Sequence, residues 1–144
     1  MSTRNVYRYN PIDLKPNKAV GIVLPIGGRP IFKLSYTTEQ QAISNLKTLL
    51  LTQEGERPFQ PLFGTNIYSL LFENITDDLE ESLQNSLSED ISFWLPYILL
   101  DNINVNFERD NNRINIFINF RVTEQGSNQT IILNVDEQGN LSIS

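Results

Sequence analysis

At 144 residues and 40% hydrophobic side chains, the chain is long enough for one domain with a real core and leaves little room for a second. Its 17 acids against 11 bases give a net charge of −6, which argues against a general affinity for nucleic acid or an anionic membrane. With neither cysteine nor histidine, a disulfide framework, a Cys/His zinc site, a thiol nucleophile and a Ser-His-Asp triad are all excluded, and no cofactor is implied.

The charge is unevenly spread. Residues 1–36 carry Arg4, Arg8, Lys15, Lys18, Arg29 and Lys33 against Asp13 alone. From Pro58 to Glu108 there are nine acids and no lysine or arginine. A basic arm and an acidic middle read equally as solvated charged faces or as a docking surface for other proteins. No apolar run has the length of a membrane span, and "MSTRNVYRYNP" lacks the apolar core of a signal peptide, so the chain is expected to be made and kept in a cytoplasm.

In chain order, residues 1–30 hold four prolines and a Gly-Gly pair and read as an extended arm with one short strand at Val20–Leu24. The alternation of Phe32, Leu34 and Tyr36 predicts another short strand. A helix follows from Thr37 or Thr38, where "TTEQQ" has the spacing of a capping box. Ala42, Ile43, Leu46, Leu49 and Leu50 form its buried stripe, and Gly55 is its expected stop. A second helix begins after Thr76, with Asp77, Asp78, Glu80 and Glu81 opposing the positive end of its dipole. Leu79, Leu83, Leu87, Ile91, Trp94 and Leu95 line one face until Pro96 ends the run.

Beyond Pro96 the period changes from 3.6 to 2. Ile103, Val105 and Phe107 alternate, then Ile114, Ile116, Ile118, Phe120 and Val122, then Ile131, Leu133 and Val135. "RDNN", "EQGSN" and "DEQGN" are the turns, the last leading into a short strand "LSIS". The predicted fold is α+β: two main helices packed on an antiparallel meander of three to four strands, with residues 31–144 as a single domain behind the arm.

The chemistry-bearing candidates each have a plain structural counterpart. Glu54, Glu56 and Glu73 suggest paired carboxylates of the kind glycosidases use, but Glu54 and Glu56 are two apart beside a glycine and should diverge. Arg57 reads as a tie, bonding backbone carbonyls or one carboxylate in a bidentate way. Pro58 and Pro61 stiffen the link, Phe59 and Phe63 supply apolar anchors, and Gly64 permits a turn that a Cβ would strain. Gly55, Arg57, Pro58, Phe59, Phe63, Gly64 and Glu73 together make a structural corner. "FWLPYILLDN" is core or an aromatic docking knob. The meander must end in an edge strand, and an uncovered Ile131–Val135 or the tail after it would accept a strand from another chain.

The run "SNLKTLLLTQEGERPFQPLFGTNIYSLLFE" and the acidic helix after it resemble the baseplate wedge, or sheath-initiator, family of contractile-tailed bacteriophages, over about Gly28 to Val122. Relatives of that family occur in bacterial contractile injection systems, including type VI secretion. The resemblance implies a non-enzymatic virion protein of the tail baseplate, assembled in the host cytoplasm. It implies six copies per baseplate, each monomeric alone, touching other wedge proteins with their helical core bundle, tube-proximal hub proteins and the tail sheath protein. The first sheath ring would dock by strand exchange, so Ile116, Ile118, Phe120, Ile131, Ile132, Leu133 and Val135 are the expected sheath-docking strands. The family often carries Glu-Pro-Arg at the helix-to-strand junction, where this chain has Leu95-Pro96-Tyr97. Only the proline matches, which implies an apolar contact to the wedge core through Trp94, Leu95, Pro96 and Tyr97. Some members have been labelled lysozymes, so the alternatives are a peptidoglycan-degrading hydrolase or an adaptor in a bacterial injection system.

Overall fold

The computed structural model describes residues 18–24, 33–67, 69, 76–122, 126–136, 138 and 140–144. The chain divides into two compact units, Met1–Asn45 and Leu46–Ser144. In the first, β1 (Gly21–Ile22) pairs antiparallel with β2 (Leu34–Ser35). The Val20 and Val23 N–H groups lengthen this ribbon by donating to the carbonyls of Ser35 and Lys33, both at 2.7 Å. The short strand expected within Val20–Leu24 is thus present, cut to its two central residues.

Helix α1 spans Thr38–Leu51. Thr37 caps it: Gln40 N–H donates to Thr37 Oγ1 at 3.2 Å. The reciprocal bond of the capping box lands one residue early, from Tyr36 N–H to Gln40 Oε1 at 3.2 Å. Of the predicted stripe, Ala42, Leu46, Leu49 and Leu50 are buried, whereas Ile43 is half-buried and Ser44 takes an inner position. Burial of Ser44 is tolerated because its hydroxyl donates to Gln40 O and accepts from Leu24 N–H.

The larger unit holds α2 (Asp77–Trp94) and a four-stranded antiparallel meander of β3 (Leu99–Glu108), β4 (Arg113–Arg121), β5 (Gln129–Val135) and β6 (Leu141–Ile143), in that spatial order. This is the α+β architecture the sequence predicts. Leu79, Leu83, Leu87, Ile91 and Leu95 are buried along one side of α2, which lies against β3. Each such side chain contributes about 1.5–3 kcal/mol on leaving water. The inner face of the sheet is equally apolar: Ile103, Val105, Ile114, Ile116, Ile118, Phe120, Ile131, Leu133 and Val135 are all buried. On the outer face Asn102, Asn104 and Asn106 are exposed, and Phe117 and Ile132 pair across β4 and β5 among asparagines.

Two departures from the periodicity have physical causes. Strand β3 starts at Leu99 rather than Ile103, because the register shifts between Leu100 and Asn102 and puts the first residues out of phase with the rest. Asp101, at that irregularity, receives a bidentate pair from Arg121 across the ladder, the shorter bond being 2.7 Å. "RDNN" makes a 3-10 turn at Arg109–Asn111, followed by Asn112 in the left-handed region at φ 46.

Candidate functional site

The corner after α1 closes on itself. Thr65 N–H donates to Thr52 O at 2.9 Å, Glu54 N–H to Thr65 O at 3.4 Å, and Gly55 N–H to Pro61 O at 2.7 Å. Thr65 is buried, with its hydroxyl directed at Leu50 O. Closure brings Gly64 so near the opposite strand of the loop that a Cβ there would lie 2.6 Å from Thr52 O and 2.8 Å from Glu54 N. Its φ of +134 is also one that L side chains rarely adopt. Gly55, at φ +94, makes the other turn with open space around it. It lies beyond the last helical residue, Leu51, and so shapes the corner rather than the helix end.

Between these glycines, Gln60 N–H donates to Arg57 O at 3.3 Å, which places Pro58 and Phe59 at the middle of a turn. Phe59 therefore points outward and is fully exposed at 101%. The expected anchor at this position is not one. Phe63 is the anchor that forms. Its ring meets Trp94 at 5.1 Å, edge to face, and Trp94 in turn meets Phe93 at 5.0 Å. The Arg57 guanidinium lies 4.1 Å from the Phe63 centroid, so its contact here is a cation–π stack where the sequence suggested carbonyl or carboxylate bonds. Glu73 lies outside the described residues.

The structure thus joins two stretches that the sequence presents separately, the corner and the end of α2. Leu95 is buried, Trp94 is half-buried in the ring stack, and Pro96 and Tyr97 are exposed. Phe93 (76% exposed) and Leu62 (70%) extend the apolar surface. Sequence reading missed Asp90, one helical turn before Phe93 and Trp94. Partial burial pushes its carboxyl up to about 6, and the charges of Glu54 and then Glu89 push the same way. Only the spacing of Asp90 to the two aromatics hinted at this, and nothing in the sequence paired it with Glu54.

The second candidate surface is the sheet edge, and here the expectation needs correcting. Ile116, Ile118 and Phe120 lie on β4, which is paired on both sides, and Ile131, Ile132, Leu133 and Val135 lie on β5, which β6 covers from Ile132 onward. All but Ile132 face the core and are buried. Among the described residues the outer edges are β3 and β6. Ile132 and Ser144 exchange both backbone bonds, at 3.1 and 3.0 Å, and Asp136 N–H donates to Asn140 O at 3.2 Å. By antiparallel alternation, the N–H and C=O groups of Leu141 and Ile143 therefore point away from β5. The Asp136 carboxylate holds the turn, accepting from Asn140 Nδ2, Asn140 N–H and Gln138 N–H. These bonds, the Asn140 side chain first, hold its carboxyl below the usual value. The turn is therefore intact at neutral pH and loosens in acid as the pH falls through that lowered value.

Neither surface is an enclosed pocket. A concavity of about 420 Å³ adjoins the β5–β6 turn, lined by Glu108, Arg113, Asn134, Asp136, Asn140 and Ser142, and another of about 280 Å³ lies beside Gln84 and Asp101; neither includes Glu54, Arg57 or Asp90. No group of three acidic side chains among the described residues has the spacing to hold a metal ion.

The described residues thus place an acidic helix, a four-stranded meander and an arginine–proline corner on one α+β scaffold. Residues 38–127 match the family profile described as baseplate wedge protein gp25, and the chain belongs to that family. It is a subunit of a contractile-tail baseplate. A crystal structure from Geobacter sulfurreducens, described as a tail lysozyme, shares the fold at 22% identity with a TM-score of 0.62, over 69% of this chain and 91% of that one. A chain of the six-fold symmetrised baseplate of the anti-feeding prophage is similar at 20% identity and a TM-score of 0.50, over 84% of this chain and 76% of that one. Among curated proteins nothing matches.

Gly64→Ala is expected to destabilise the larger unit by at least about 1–3 kcal/mol, since both the φ and the approach of backbone oppose a Cβ. An unchanged denaturation midpoint would refute that reading of the corner. Asp90 gives a pH signature. Its carboxyl is raised, so the stability from its protonation is complete below the ordinary value of 3.8 and is lost as pH rises through about 6. Asp90→Asn should melt a few degrees above wild type at pH 8, an effect kept small by solvent screening, and coincide with it at pH 4. Parallel melting curves across that range would contradict the assignment.

Proposed function

We propose that the chain links the wedge to the tube-proximal region of the baseplate and templates the first sheath ring by strand exchange. Residues 31–144 act as the wedge domain and residues 1–30 as a basic strap. The observation that carries the reading is the β6 edge, which no described strand covers and whose Leu141 and Ile143 backbone groups point away from β5. The other edge is the poorer template, because β3 is irregular at Asp101 and has α2 against it. Six copies, assembled with their wedge partners in the host cytoplasm, would present six such edges in register. Trp94, Pro96 and Tyr97 remain the proposed apolar contact to the helical core bundle, with hub proteins on the tube side. The same surfaces would serve an adaptor in a bacterial injection system.

The role requires no catalysis. Neither Glu54 nor Asp90 lines the two cavities described above, Glu56 accepts from Gln53 N–H at 3.0 Å as part of the corner, and a glycosidase needs two carboxyls flanking its sugar.

Ile143→Pro removes one outward donor while leaving the β5–β6 bonds in place. Tails carrying it should assemble baseplates but lack sheath in electron micrographs, with the purified variant retaining its circular dichroism. Normally sheathed tails would sink the idea. Purified wild-type chain incubated with isolated peptidoglycan should release no more reducing sugar than buffer. Release that disappears in a Glu54→Gln, Asp90→Asn double variant would establish the lysozyme reading instead.

A further inference from the structure

The basic arm and the face formed by the corner with the end of α2 are complementary in two respects. That face presents a run of contacting groups, Arg57 over Phe63, Phe63 against Trp94 and Trp94 against Phe93, with the outer ring three-quarters exposed. Phe59 and Leu62, on the same loop as Phe63, are exposed as well. Large exposed apolar groups in contact with one another mark a docking surface more often than an accident of folding. Asp90 lies one helical turn before Phe93 and Trp94, and Glu54 and Glu89 are near enough to act on it. Arg57, the nearest cation in sequence, is engaged on Phe63. An excess of negative charge is left beside the rings, and an occupant must bring positive charge together with flat or aliphatic side chains.

The first eighteen residues have that composition. They carry Arg4, Arg8, Lys15 and Lys18 against Asp13, with Tyr7 and Tyr9 flanking Arg8. We infer that the corner face of one copy receives the N-terminal arm of a second copy, with Arg4 and Arg8 against the Glu54, Glu89 and Asp90 carboxylates and the tyrosines against the exposed rings. Arginine suits both halves of the surface, since its guanidinium pairs with carboxylates and stacks on aromatic faces. Every copy carries one arm and one face, so the contact is head-to-tail, and such contacts close into rings when the rotation between copies permits. The inference is independent of the sheath reading. It concerns the opposite end of the chain and a surface other than the β6 edge, sharing only Trp94 with the proposed core-bundle contact, and either can fail alone.

Trp94 is the only tryptophan and lies within the proposed site, so its emission reports occupancy directly. The receptor is the full-length chain with Arg4→Glu and Arg8→Glu, whose own arm cannot compete, and the probe is a synthetic peptide of residues 1–18. The expected result is a saturable shift in Trp94 emission with micromolar peptide. It should weaken roughly tenfold or more when the receptor also carries Glu54→Gln, Glu89→Gln and Asp90→Asn, and weaken with added salt. Wild-type chain alone should show a shift that grows with concentration and disperses on dilution. No saturable change up to millimolar peptide overturns the proposal. So does an equal response to a scrambled peptide of the same composition. A wild-type shift indifferent to dilution overturns it too, because the arm would then be bound within its own chain.

Discussion

The functional surfaces of the larger unit depend on one close approach, that of Gly64 to the backbone of Thr52, Gln53 and Glu54. Because no Cβ intervenes, Thr65 can reach Thr52 and return a bond to Glu54, and a loop rich in polar side chains becomes a closed ring of backbone bonds. That closure fixes Phe63, and Phe63 in turn meets Trp94 at the end of α2. A corner and a helix end distant in sequence then move as one surface, and Arg57 is held over it by the same ring. Without the approach at Gly64, Phe63 and Arg57 would belong to an ordinary loop, and α2 would end in solvent.

From α2 the constraint passes to the sheet. Leu95 N–H bonds back to Ile91 O, and Ile98 N–H to Leu95 O, so the helix unwinds over a single turn into β3 with Leu95 and Ile98 both buried. The meander is then built outward in chain order, each strand covering the edge of the last, until β6. A meander cannot cover its own final strand, and this one ends in a strand of three residues whose turn is held by a single exposed carboxylate. Family membership gives that open edge a context. Under the proposed function, an edge that would be an aggregation hazard in a free-standing protein becomes a place where another chain continues the sheet.

The two surfaces differ in physical character. The edge offers backbone groups and little side-chain chemistry, and is suited to recognising any extended strand of the right register. The corner face offers rings and carboxylates and selects by charge. If both proposals hold, the two surfaces discriminate between partners, since a strand-seeking partner gains nothing from the acidic face and a cationic one gains nothing from the edge.

The sequence by itself determined the α+β class, the two helices with their buried stripes, the alternating strands and the two glycine turns, because each is written in local periodicity or in a backbone conformation that only glycine favours. It also carried the family in the ordered block from the leucine helix through the Gly-x-Arg-Pro corner. The rest was decided by tertiary structure, since it depended on distances between residues far apart in the chain. Alternation showed that Ile131 and Leu133 belong to strands but left Ile131–Val135 and the tail after it as alternative edges, and the pairing of "LSIS" with β5 places the edge, among the described residues, at the tail. The residues Arg57, Phe59 and Phe63 were legible as a corner, yet the turn set Phe59 outward and Phe63 inward, and only the arrival of Trp94 gave Arg57 a ring to rest on. Asp90 was illegible altogether. Its shifted carboxyl comes from partial burial and from the charge of Glu54, and both exist only after the corner has folded against the helix.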